Sequence, residues 1–371
     1  MPVNIIYIIS DIDKAISFEW IVKNLNYEKF NLTFILINSE KSYLKQYLLQ
    51  KKITVFDISC KKKINLPLAI FKCISILRIL KADVVHCHLF FANIIGLTSA
   101  KIAGVKKRIY TRHYSTYHHD YFPHSVKWDK LFNLLSTNII AISEIVKQVL
   151  IEKENVKSQK ISLIHHGFDL SVFEKIDTTN LDFLNKKYNP EGKWPVIGVI
   201  SRFTELKGIQ YILPAYEKVL GNYSNALLLM FNAHGDYENE INKLLYNLPP
   251  AAYKKIKFEN DIITLYNMVD IFIQVPINKE IEAFGQTYVE SLAAGIPSVF
   301  TLSGIANEFI KDRENAIVVP YENSEAIYNA IMEILNNKEL RNKIILNGKR
   351  DVQKLFQLSE MIYKLEELYI R

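Results

Sequence analysis

In the stretch EAFGQTYVE, residues 282–290, two carboxylates stand eight positions apart on either side of Phe284, Gly285, Gln286 and Thr287. Carboxylates accept hydrogen bonds from hydroxyl groups. A helix beginning near Gly285 has unpaired N–H groups at its start, which suit an anion. Glycine there lets backbone and ligand approach closely. A second set lies in GVISRFTELKG, residues 198–208, where Arg202 and Lys207 sit five positions apart. Both follow a predicted strand, on a short turn that opens a helix. A guanidinium fork and a mobile ammonium on one turn can converge on one anion, and two cations suit a diphosphate. The chemistry implied is capture of a molecule that joins a diphosphate to hydroxyl groups. Without Arg202 and Lys207, the glutamates would read as a helix charge and a solvated face.

Short apolar runs that alternate with amphipathic stretches must position these groups. The first half holds strand-like runs at 4–10, 31–38, 53–59, 83–88, 107–113, 138–143 and 161–167. Helical patterns lie between them, as at 66–81 and 145–153. The second half repeats the plan at 196–201, 226–231, 256–260, 269–276, 298–302 and 316–320. Near-continuous apolar strands separated by helices predict parallel sheets covered on both faces. The expected fold class is α/β, with two doubly wound Rossmann-like domains and a cleft between their strand carboxyl ends. The expected boundaries are 1–171 for an acceptor-side domain, 172–350 for a donor domain, and 351–371 for a last helix that packs back on the first. The polar segment 172–195 reads as a linker.

Several chemistries are disfavoured. None of the 12 glycines sits two positions from another, so no G-x-G-x-x-G fingerprint exists, and no G-x-x-x-x-G-K-[ST] loop occurs. His86 and His88 alternate on one predicted strand without a third ligand, so they read as structural or site-edge groups and no metal is expected. Cys60, Cys73 and Cys87 form no C-x-x-C pair, which argues against a disulfide framework and fits a reducing compartment.

Taken together, these motifs resemble the donor site of the retaining glycosyltransferases of family 4, which adopt the GT-B fold. The resemblance runs along nearly the whole chain, through DVVHCH, TRH, AIS, HHGFD, SRFTELKG, VDIFIQVP and the glutamate motif with its AAGIPSV continuation. It implies that Arg202 and Lys207 bind the diphosphate, that Glu290 holds ribose hydroxyls and Glu282 those of the donor sugar, and that His113 stands near the reaction centre. Phe284, Gly285, Gln286 and Thr287 complete the donor site. Asp11, Asp13, His88, Arg112 and Tyr114 are the acceptor-side candidates. The implied activity is metal-independent transfer of a sugar from a nucleotide diphosphate donor, without another cofactor. Two other readings share the same ligand: a GT-B epimerase of nucleotide sugars, and a silent binding partner of another transferase. Family glycines are missing after the first strand, in SDIDKAISFEW, and the glycine-rich turn expected after the strand at 226–231 keeps Gly235 alone.

Charge divides the chain. Residues 1–170 carry 24 Lys and Arg against 13 Asp and Glu, whereas residues 171–371 carry 22 against 26. The first half is therefore expected to meet something anionic. Within the resemblance, the expected acceptor is a glycan or lipid-linked molecule, with peripheral contact to an anionic membrane and no nucleic-acid partner. No secretory signal is recognised at the start, so the cytoplasm, at the inner face of the membrane, is the expected location.

Overall fold

A computed structural model describes all 371 residues, which divide into two compact units: Met1–Asp169 with Leu358–Arg371, and Leu170–Gln357. In the first unit, seven strands run β1 (Val3–Ser10), β2 (Phe30–Ile37), β3 (Thr54–Ile58), β4 (Val84–His88), β5 (Lys107–Arg112), β6 (Asn138–Ala141) and β7 (Ile161–Leu163). They form one parallel sheet in the order β3-β2-β1-β4-β5-β6-β7. The chain first winds one way from β1 and then the other from β4. Its topological switch point therefore lies between β1 and β4, where open α/β sheets receive ligands.

The second unit repeats the plan with β8 (Val196–Ile200), β9 (Leu227–Phe231), β10 (Tyr253–Ile256), β11 (Ile271–Gln274), β12 (Ser298–Phe300) and β13 (Ile317–Val318). Their order is β10-β9-β8-β11-β12-β13, again all parallel, with the switch point between β8 and β11. Strand β9 shows why such runs are apolar throughout: Leu228 and Met230 enter one core cluster, Leu227, Leu229 and Phe231 the other. Alternate side chains point to opposite faces, and helices cover both.

Two elements differ from the sequence reading. Within the expected linker, Thr178–Tyr188 is a helix whose Asp177 cap accepts from Asn180 N. Its Leu184 and Tyr188 are buried against β9, so a short apolar period was present there, masked by polar neighbours. Strand β10 ends at Ile256, where 256–260 was expected, because Tyr253–Ile256 pairs with Leu228–Phe231. Near the far end, one helix runs Lys338–Leu355 and the next Leu358–Ile370, and the latter belongs to the first unit. No helix is long and apolar enough to cross a membrane.

Candidate functional site

In the second unit the switch point carries charge. After β8 the chain turns through Arg202 and a short 3-10 helix, Glu205–Lys207, before the helix Ile209–Asn222. Gly208 makes this turn possible: its φ is +72°, and a Cβ there would stand 1.9 Å from the carbonyl oxygen of Val275. That close approach brings the turn to the end of β11. Lys207 Nζ lies 2.5 Å from Glu282 Oε1, with both side chains largely covered. Arg202 lies on the same turn and is exposed.

Glu282 is held from three directions. Its backbone N–H donates to Ser303 Oγ at 3.0 Å, Gln274 Nε2 donates to its Oε1 at 3.3 Å, and Lys207 supplies the ammonium. Thr287, in the first turn of the helix Gln286–Ala293, donates its hydroxyl to Gln274 Oε1. Gly285 begins that helix at φ +85°, where an added Cβ would meet the Tyr288 ring at 2.7 Å. No side chain caps this N-terminus, so its first N–H groups and the positive end of its dipole stand beside the Lys207–Glu282 pair. Phe284 is buried and packs edge-on against Phe356, which fixes the turn. Further along the helix, Glu290 Oε2 accepts from the Tyr266 hydroxyl at 2.8 Å. Burial raises the Glu290 carboxyl above its ordinary range, and the Tyr266 bond offsets part of that rise.

The structure therefore gathers Lys207, Glu282, Gly285, Thr287 and Glu290 around one helix start and one strand end. Three polar residues went unremarked in the sequence: Gln274, Ser303 and Tyr266. Gln274 left a signal, a lone amide in the otherwise apolar run IFIQV. Ser303 and Tyr266 left none, since their partners are remote in sequence.

In the first unit the switch point is lined with neutral rings. His86 of β4 bonds Thr111 Oγ1 through Nε2 at 2.8 Å and the Tyr369 hydroxyl through Nδ1 at 2.8 Å, and Tyr369 also bonds Tyr7. His88 Nδ1 lies 3.1 Å from His113 Nε2, and the His113 ring stacks on His166. These histidines line a cavity of ≈ 40 Å³ with Ser17, Phe18 and Met361. That is room for a few waters, and His88 Nε2 makes no hydrogen bond to the protein. Burial pushes His113 down to about 4. It pushes His86 and His166 down to about 3, with neighbouring imidazoles adding to the shift. His88 moves in the same direction for the same reasons. All four are neutral at neutral pH, as hydrogen-bonding rings rather than cations.

The remaining acceptor-side candidates are engaged within the unit. Arg112 is fully buried, pairs with Asp129 at 3.3 Å and Glu154 at 2.7 Å, and carries Tyr114 against its guanidinium at 3.8 Å. The Tyr114 hydroxyl donates to Asp129. Arg112 and Tyr114 thus anchor the loop after β5, and no cation of the pair faces solvent. His118 bonds Asp129 and His119 bonds Glu154, so this aromatic loop is pinned by a buried charge cluster rather than free. Asp11 takes φ +52° directly after β1, at a turn where the family resemblance leads one to expect glycine. Its carboxylate accepts from Asn38 Nδ2, whereas that of Asp13 accepts from Tyr43 N.

Comparison with known proteins converges on one family. The Glycosyltransferase Family 4 model matches residues 28–172, and the Glycosyl transferases group 1 model matches residues 182–351. A capsular polysaccharide biosynthesis glycosyltransferase, CapM of Staphylococcus aureus, is 27% identical over 65% of this chain, and the match spans only 63% of its own length. An Escherichia coli UDP-Gal:alpha-D-GlcNAc-diphosphoundecaprenol alpha-1,3-galactosyltransferase is 23% identical, covering 92% of this chain and 89% of that protein. Among solved structures, HepE of Anabaena in complex with UDP-glucose superposes with a TM-score of 0.83 at 18% identity, covering 98% of both chains.

Proposed function

Because the chain belongs to glycosyltransferase family 4 and has two Rossmann-like domains of the GT-B type, we propose that it transfers a sugar, with retention, from a nucleotide diphosphate donor to a glycan or lipid-linked acceptor in surface polysaccharide synthesis. The observation that carries this reading is the Lys207–Glu282 pair at 2.5 Å beside the uncapped start of the helix Gln286–Ala293. An ammonium held by a carboxylate, next to backbone N–H groups, is a site prepared for exchange. On donor binding Lys207 turns to the diphosphate together with Arg202, and Glu282 is released to the hydroxyls of the donor sugar. Glu290 receives the ribose hydroxyls. Two lipid- or polysaccharide-directed relatives support the acceptor class by name, CapM and the diphosphoundecaprenol galactosyltransferase.

In this reading the acceptor hydroxyl attacks the anomeric carbon on the face from which the diphosphate leaves. The C–O bond to the acceptor forms as the C–O bond to phosphate breaks, and the acceptor proton passes to the departing phosphate oxygen. Charge builds on that phosphate. Lys207, Arg202 and the helix N-terminus stabilise it without a metal or another cofactor.

The test is to incubate the protein with UDP-sugars of α configuration and a lipid-linked sugar acceptor, and to read the anomeric coupling of the product by NMR. An α product formed equally well with chelator present supports the reading. A β product overturns retention, and complete loss of turnover with chelator overturns metal independence.

A further inference from the structure

Strand β11 is apolar until its last residue, Gln274, whose side chain is buried. A buried amide costs stability unless both of its ends find partners. Here both do. The Thr287 hydroxyl donates to Gln274 Oε1, and Gln274 Nε2 donates to Glu282 Oε1 at 3.3 Å. These partners also fix which end of the amide faces which way. A carboxylate only accepts, so the amide N–H end must face Glu282, and the carbonyl end is left for the donating hydroxyl of Thr287. The sheet keeps the amide in place, since Gln274 stands in register with Phe300 and its backbone O accepts from Thr301 N at 3.2 Å.

Glu282 receives both of its side-chain bonds on one oxygen. Lys207 and Gln274 each reach Oε1, and no donor of the protein meets Oε2. The two donors differ in kind. Lys207 is a cation on a flexible stem that a diphosphate can draw away. Gln274 is neutral and anchored at a strand end, so it holds the carboxylate without cancelling its charge. We propose that Gln274 is a positioning residue for the donor sugar: oriented by Thr287, it grips Glu282 Oε1 as Lys207 leaves, so that Oε2 stays available to the sugar hydroxyls. A leucine in this place would fill a similar volume, but Glu282 would then follow the ammonium as it turned. The inference rests on the proposed role of Glu282 toward the donor sugar, and adds the pair of residues that sets its direction.

The experiment is titration calorimetry of the full chain with UDP, and with UDP-glucose, UDP-galactose and UDP-N-acetylglucosamine, each without acceptor. The readout is a ratio: the affinity for the sugar nucleotide that the parent binds best over the affinity for UDP. General damage lowers both affinities, whereas misdirection of Glu282 lowers the first alone. Gln274→Leu should lower the ratio on the order of tenfold or more, as for loss of a hydrogen bond to a charged group. Thr287→Val should lower it by a smaller factor, and Thr287→Ser, which keeps the hydroxyl, should preserve it. The double variant Gln274→Leu, Thr287→Val should lose no more than Gln274→Leu alone, because one residue acts through the other.

Gln274→Glu adds a pH signature. The charged and titratable groups facing that position are Lys207 from the turn after β8, Glu282, and Tyr288 of the helix Gln286–Ala293, whose hydroxyl burial pushes well above its ordinary value. Two carboxyls in one site retain a proton between them. The new carboxyl should therefore donate to Glu282 at low pH and repel it once ionised. Relative to the parent at the same pH, the ratio should fall as pH rises from about 5 to about 8. A parent that binds no sugar nucleotide more tightly than UDP overturns the donor-sugar reading and this inference with it. A parent that does so overturns the inference alone if Gln274→Leu leaves the ratio unchanged, if the double variant adds the two losses, or if Gln274→Glu follows the parent at every pH.

Discussion

At the switch point of the first sheet the side chains are imidazoles and phenols, whereas at that of the second they are an ammonium, two carboxylates and amides. The strands that deliver them follow the same winding, so backbone topology does not account for the contrast. The difference lies in what each sheet end buries. The first unit covers its four imidazoles until all are neutral at neutral pH, and its one buried guanidinium, Arg112, is neutralised by Asp129 and Glu154. The second leaves Lys207 about a quarter exposed, paired with the buried Glu282 and bordered by a bare helix start. One unit spends charge on its own integrity. The other keeps charge where a ligand can take it over.

The contrast can be broken by removing single charges. Arg112→Ala leaves Asp129 and Glu154 buried without their cation, and losing one partner of a buried pair costs about 3–5 kcal/mol. Chemical denaturation should show the first unit losing this stability, and an unchanged midpoint would mean that the cluster is hydrated. Lys207→Ala should behave in the opposite manner: stability near the parent, but affinity for UDP lowered on the order of tenfold to a hundredfold, as expected for loss of a charge-assisted contact. Titration calorimetry reads this directly, and full affinity would remove Lys207 from the donor site. A third effect concerns pH. The folded His113 sits at about 4, below its unfolded value of 6.5, so the unfolded chain takes up protons that the folded chain refuses. Stability is full above about pH 6.5 and falls as pH drops through the range between these values, by at most about 1.4 kcal/mol per imidazole for each unit. Melting temperatures followed from neutral pH to about pH 5 should decline, and a flat profile would show that the rings are not buried neutral.

The fold was legible in the sequence because parallel strands buried on both faces must be apolar at every position, and runs such as LLLMF declare themselves. The grouping of Lys207 with Glu282 was legible because each lies on a turn past a strand, where few positions compete. What escaped depended on tertiary partners. Arg112 looked free until folding brought Asp129 and Glu154 to it from 17 and 42 residues away. The helix Thr178–Tyr188 was hidden because its apolar period, Leu181, Leu184 and Tyr188, is too short to stand out among polar neighbours. Asp11 took up the left-handed turn for which glycine was expected, a conformation that a short polar side chain tolerates.

Tyr369 ties the order of synthesis to the integrity of the first unit. It bonds His86 across 283 residues of sequence and Tyr7 across 362, so these two side chains lack this partner until the whole second unit has left the ribosome. During that interval the histidine-lined cavity is open on the side the last helix later covers. A nascent first unit should thus be the more vulnerable half to proteases and chaperone capture, and removal of Leu358–Arg371 should leave it in that unfinished state however well the second unit has folded.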